Sequence, residues 1–177
     1  SDAMVPAVIN LLPESQIFED VTGKMEIGDV VQIFQQGGMT DFSKERRLSY
    51  GYTNSAIWLR VAVENRQSSY QTRYLGSMRP ELYTFNMYQV ESGQVTKVWQ
   101  GGLKATGQSD QALGRLPYFS VSLPPNSSQV FYFEIRSKLS LTLVLNSLSP
   151  VEYVSFYQVA DVTHFFYFGT VMSLVMY

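Results

Sequence analysis

The strongest constraint on the fold of this chain is a repeated alternation of apolar and polar residues with a period of two. Ile57, Leu59, Val61 and Val63 alternate with Ala56, Trp58, Arg60, Ala62 and Glu64. Tyr83, Phe85 and Met87 alternate with Thr84, Asn86 and Tyr88, and Phe131, Phe133 and Ile135 alternate with Tyr132, Glu134 and Arg136. Successive side chains of a strand point to opposite sides of its sheet, so each run presents one apolar face and one mixed face. Leu139, Leu141, Leu143 and Leu145 alternate in the same way with Ser140, Thr142, Val144 and Asn146. Shorter strands are predicted at Arg73 to Met78, Val95 to Trp99, Tyr118 to Leu123 and Val151 to Tyr157. The chain carries 12 Tyr and 11 Phe, which favour the same state, because flat rings pack well on a pleated, half-buried surface.

Turn residues separate these runs. Glu91-Ser92-Gly93-Gln94 reads as a hairpin turn between Tyr88 and Val95. Pro124-Pro125-Asn126-Ser127-Ser128 interrupts two strands, and Gly37-Gly38 and Gly101-Gly102 mark loops. About eight short strands with turns between them predict an all-β, antiparallel jelly-roll sandwich. Phe18-Glu19-Asp20 followed by Thr22-Gly23 reads as a short edge strand and turn, and Ile27 to Phe34 as either a short helix or a loop over one sheet edge.

The two ends differ from the middle. Ser1-Asp2-Ala3 before Met4 reads as a cloning remnant, so residues 1–4 carry no fold information and the domain is expected over residues 13–160. From Thr163 to Tyr177 the sequence is apolar, with His164 its one titratable imidazole. A helix over that stretch would be roughly 22 Å long, short of the ~30 Å hydrocarbon core of a bilayer. Read alone, it is a buried terminal helix or strand, or a cut transmembrane helix beginning near residue 161.

The inventory of reactive groups excludes most catalysis. Cysteine is absent, which removes disulfides, thiolate zinc sites and cysteine nucleophiles. His164 is the single histidine, so a Ser-His-Asp arrangement or a His-based metal site would have to be assembled around the apolar tail. Glu64, Glu81, Glu91, Asp110 and Glu134 are scattered, and nothing supplies Glu134 with the facing carboxylate that glycoside hydrolysis needs. Gly101-Gly102 lacks the lysine and the strand-to-helix setting of a phosphate loop. The charge balance of 13 Lys and Arg against 15 Asp and Glu contains no basic run, so the footprint of a nucleic-acid binder is missing. The expectation is a binding domain that is not an enzyme and uses no cofactor and no metal.

The mixed faces of the strands hold the candidate site. Trp58 and Arg60 share one face, as do Tyr132, Glu134 and Arg136, and Tyr88 ends a strand with Thr84 and Asn86 on its face. Aromatic rings stack on the apolar faces of sugars while Arg and Asn supply directed hydrogen bonds. The plainer alternative is that the N-terminal segment or a loop covers Trp58 and that Arg60 and Arg136 form ordinary ion pairs. The same residue types also suit a protein interface, including a homodimer.

The order of motifs adds a resemblance. Phe18-Glu19-Asp20 with Thr22-Gly23 comes first, then Gly51-Tyr52-Thr53, Ser55-Ala56-Ile57-Trp58-Leu59-Arg60-Val61 and Asn65. Tyr83 to Tyr88, Gly114-Arg115-Leu116-Pro117-Tyr118-Phe119, Leu123-Pro124-Pro125, Phe131 to Ser137 and Tyr167-Phe168-Gly169 follow. From about Ile17 onward this resembles the extracellular domain of bacterial seven-transmembrane receptors with diverse intracellular signalling modules. The resemblance implies a jelly roll similar to carbohydrate-binding modules, on the periplasmic or extracellular face of the inner membrane. It implies anchoring through a first transmembrane helix that the apolar tail would open, and a cytoplasmic output module beyond it. It further implies a carbohydrate or other small-molecule ligand, expected on the face of Trp58, Arg60, Tyr88, Tyr132 and Arg136 or near Arg115 and Tyr118, beside a polar stretch between Gly101 and Gly114.

Overall fold

The alternating runs form the strands of an antiparallel sandwich in the computed structural model, which describes residues 6–45, 47–105 and 116–156. In chain order the strands are β1 (Val8–Asn10), β2 (Gln16–Asp20), β3 (Thr40–Asp41), β4 (Ser49–Gly51), β5 (Ala56–Asn65) and β6 (Gln71–Gly76). They continue as β7 (Thr84–Glu91), β8 (Gln94–Trp99), β9 (Tyr118–Leu123), β10 (Ser127–Arg136), β11 (Leu141–Thr142) and β12 (Asn146–Leu148). One sheet has the order β3-β2-β5-β10-β7-β8, the other β1-β12-β6-β9, and β11 pairs with β4 at the side. From β5 onward the chain crosses repeatedly between the two main sheets, the winding expected of a jelly roll. The strand count exceeds the expected eight or so because β1, β3, β4, β11 and β12 are pieces of two or three residues.

The apolar faces meet as predicted. Ile57, Leu59 and Val61 of β5, Phe85 and Met87 of β7, and Phe131, Phe133 and Ile135 of β10 are buried together with Leu75, Phe119, Val121 and Leu123 of the opposite sheet. Phe85 stacks on Phe119 across the sandwich with ring centroids 5.9 Å apart and lies tilted against Phe133 within its own sheet at 5.7 Å. The β7–β8 turn falls where the sequence placed it, with Ser92 at φ 51° and Gly93 at φ 81°, the left-handed pair that suits the right-handed twist of a two-residue hairpin.

Ile27 to Phe34 lies in a helix, α1 (Ile27–Gln35), and it covers a sheet face, not an edge. Its apolar positions Ile27, Val30, Val31 and Phe34 follow helical spacing and pack on Ala56, Trp58 and Tyr132. A capping box between Glu26 and Asp29 starts it. Gly37 at φ 75° ends it, letting the amide of Gly38 return to the carbonyl of Ile33. A single turn, α2 (Phe42–Glu45), follows β3.

Two strand expectations are corrected. Residues 150–156 are helical, so Val151 to Phe156 form no strand. Ser149 caps this helix by accepting the amide of Glu152 on its hydroxyl at 3.2 Å, and Pro150 stands in the first turn, where its missing N–H costs nothing. In the leucine run, Leu141, Leu143 and Leu145 are buried as the alternation requires, but Leu139 is exposed and the ladder is limited to β11. Beyond it the backbone bonds irregularly, Leu143 to Leu48 and Leu145 to Leu11. The expectations for residues 1–4, Arg115, Tyr157, His164 and the stretch 161–177 lie outside the described residues.

Candidate functional site

Register sets the outer face of the six-stranded sheet. β10 pairs with β5 so that Tyr132 lies opposite Arg60 and Glu134 opposite Trp58, and with β7 so that Tyr132 lies opposite Tyr88 and Glu134 opposite Asn86. Trp58, Arg60, Tyr88, Tyr132 and Arg136 therefore share one face, as the period of two requires. They do not share one environment. α1 lies across Trp58 and leaves it 1% exposed, so Trp58 is not a surface for stacking a ligand. Its ring sits 5.9 Å from that of Tyr88, and among the described residues its Nε1 has no hydrogen-bond partner.

Beside Trp58 the polar side chains form a closed network around Glu134. One carboxylate oxygen accepts from Asn86 Nδ2 at 2.9 Å and from the Tyr88 hydroxyl at 3.1 Å. The other accepts from Arg136 Nε at 2.7 Å, and Arg136 donates onward to the carbonyl of Gly23. Burial, reinforced by the Glu134 charge, pushes the Tyr88 phenol far above its ordinary value. Glu134 thus has donors on both oxygens, and Arg136 ties β10 to the turn that leads into α1.

Toward the C-terminal end of α1 the face opens. A groove of about 390 Å³ lies between the helix, the sheet and the tip of the β7–β8 hairpin at Ser92 and Gly93. Arg60, Gln16 and Gln35 supply polar groups to it, and Phe34 and Tyr132 supply rings. The Arg60 guanidinium donates to Gln16 Oε1 at 3.1 Å and lies 5.6 Å from the centre of the Phe34 ring, which meets Tyr132 edge-on at 5.0 Å. Burial raises the Tyr132 pKa and the Arg60 charge acts the other way, with burial dominant. The phenol is therefore protonated at neutral pH and can donate.

The structure thus brings Arg60 and Tyr132 together at the groove, where Tyr132 is itself only 4% exposed, buries Trp58 under α1, and ties the half-buried Tyr88 and Arg136 into the Glu134 network. Tyr118 belongs elsewhere. It is 1% exposed on the outer face of the other sheet, against Leu148 and Tyr153. Arg115 lies outside the described residues. Gln16, Phe34 and Gln35 were not anticipated; the helical spacing of Ile27, Val30, Val31 and Phe34 was the available signal for Phe34 and Gln35. Among the described residues no group of three or more His, Cys, Asp or Glu side chains could hold a metal ion. Among them, too, no helix is long and apolar enough to cross a membrane.

A comparison with curated proteins found no match. The model of the family described as 7TMR-DISM extracellular 2 matches residues 12–148, a span that takes in α1, the groove and every strand from β2 to β12. By that match the chain belongs to the 7TMR-DISM extracellular 2 family, and it is an extracellular sensor domain of a receptor.

Proposed function

We propose that this domain is the ligand-sensing part of a bacterial transmembrane receptor and that it takes a small polar molecule, such as a carbohydrate, in the groove beside α1. The supporting observation is the convergence of Arg60, Gln16 and Gln35 with the rings of Phe34 and Tyr132 around one opening of about 390 Å³. Small-ligand sites have volumes of roughly 300–1,000 Å³ and combine apolar walls with a few directed polar groups. The domain binds its ligand without transforming it, since Glu134, the carboxylate set among these aromatics, is already committed to three donors. A ligand in the groove would touch a helix, a sheet and a hairpin tip at once. It would favour the arrangement in which α1 is docked, and that difference in affinity is what a receptor can relay to a cytoplasmic output module.

The test is calorimetric titration with a panel of mono- and disaccharides, amino acids and cell-wall fragments, with Trp58 emission as a second readout and Trp58→Phe as its control. Binding by a panel member that weakens at least about tenfold in Arg60→Ala and in Tyr132→Phe is expected. Binding unchanged by both substitutions, or no binding across the panel, would sink the groove reading.

A second reading, a protein-interaction or dimerisation domain, is favoured by β8. This strand ends its sheet, and Val95 and Val98 on it are exposed. Sedimentation of the domain and of Val98→Lys separates the readings, because only an interface at β8 predicts a self-association that the substitution removes.

A further inference from the structure

A second cavity, of about 510 Å³, opens at one end of the sandwich between the N-terminal segment and the β5–β6 connection, and it shares no lining residue with the groove. Its walls include Leu11, Val63 and Leu123, and Arg73 of β6 lines it. The alternation that buries Leu75 also turns Arg73 inward, and Arg73 is 2% exposed. Its guanidinium donates from Nε to Ser147 Oγ at 2.8 Å, from one terminal nitrogen to the carbonyl of Ser147 at 2.8 Å, and from the other to the carbonyl of Pro6 at 3.1 Å.

All three acceptors are neutral, and Arg73 makes no ion pair among the described residues. Removing a cation from water is costly unless an anion compensates, and burial here lowers the pKa of Arg73 accordingly. Each terminal nitrogen carries two N–H groups and has one acceptor among the described residues, so the guanidinium has donor capacity left for a carboxylate. The cavity rim is held in place. Asn65 donates to the carbonyls of Ser69, Leu123 and Pro124 and accepts the amide of Gln67. At the mouth Glu64 is paired with Arg66, while Glu14 is exposed.

We propose that this cavity binds a small organic carboxylate with an apolar body, the carboxylate on Arg73 and the body against Leu11, Val63 and Leu123. The receptor domain would then carry an input independent of the α1 groove.

The test is titration of the domain with 4-methylpentanoate, with leucine, which presents the same chain with an added ammonium, and with 4-methylpentanamide, which lacks the charge. At least one of the two carboxylates is expected to bind, and at least about tenfold more tightly than the amide. Tighter binding of leucine would assign its ammonium to Glu14, and tighter binding of 4-methylpentanoate would assign a simple acid as the ligand class. Gln71→Trp, which fills the cavity from a half-buried position on β6, is expected to weaken binding by tenfold or more, and Arg73→Gln to abolish it. Should Arg73→Gln fail to fold, the amide comparison and Gln71→Trp still decide the matter. No binding of either carboxylate at about 10 mM, equal binding of the amide, or binding unaffected by Gln71→Trp would overturn the proposal.

Discussion

A helix covers each outer face of the sandwich, and the two interfaces are built from different materials. α1 lies on the six-stranded sheet with Val30 and Val31 over Trp58, but the same face carries Arg60, Glu134, Asn86 and Arg136 and leaves a groove at one end. Residues 150–156 lie on the four-stranded sheet, where Tyr153 stacks on Tyr74 with centroids 3.9 Å apart and meets Tyr118 edge-on at 6.1 Å. The first interface lies beside polar side chains and an opening, and the second is a stack of tyrosine rings. Packed rings hold one arrangement because any shift forfeits many contacts at once. A helix that packs beside a cavity gives up fewer contacts on moving and is easier to displace and to re-seat.

The sharpest way to break this contrast is Tyr153→Ala. Loss of a buried ring with two aromatic partners is expected to cost about 3 kcal/mol, read as a lowered urea midpoint for the whole domain. A loss under about 1 kcal/mol would make the two faces alike. On the α1 side, Val30→Ala removes a fully buried side chain and is expected to cost about 2 kcal/mol. Hydrogen exchange should then speed up in the α1 amides while β10 stays protected; equal acceleration in both would mean that α1 is not a separable unit.

Asp20 is the next smaller lever. Burial alone would raise its carboxyl, but hydrogen bonds from the Thr22 hydroxyl and from the amides of Met25, Thr22 and Gly23 outweigh it and hold the pKa below the ordinary 3.8. The stabilisation it provides is therefore full above about pH 4 and is lost as pH falls through the lowered folded-state value. Asp20→Ala should cost about 1 kcal/mol at pH 7, and the gap from the parent protein should narrow in acid. A gap independent of pH would show that the loop and not the charge matters. The smallest effect is expected for Arg66→Ala. Its pair with Glu64 at 2.8 Å is exposed, so unfolding should shift by less than about 0.5 kcal/mol.

The sequence made the inter-sheet core legible because β5, β7 and β10 each keep strict alternation over a long run, and a slip of one residue would turn every apolar side chain to the wrong face. It misjudged residues 150–156 for a local reason. Val151, Tyr153 and Val154 have strand-favouring side chains, and these outweighed the helix-start signature of Ser149, Pro150 and Glu152. The candidate face was legible as a face, since pairing register follows from alternation. Its division into a covered part and an open part was not, because that depends on where α1 lands. Arg73 escaped notice although Leu75 shares its side of β6; an arginine in a core-facing position was the signal.

The place of β10 at the centre of its sheet also bears on how the domain is made. Ile57 pairs with Ile135 and Asn65 with Ser127, so β5, which has β2 on one edge, waits on its other edge for a strand synthesised much later in the chain. β7 waits for the same strand on its other edge. Until residue 136 is available, the apolar run of β5 and the β7–β8 hairpin have no common neighbour to close on, and loop-closure entropy opposes their meeting. Early translation products should therefore keep the six-stranded sheet in two unjoined parts, and β10 is the late strand that links them.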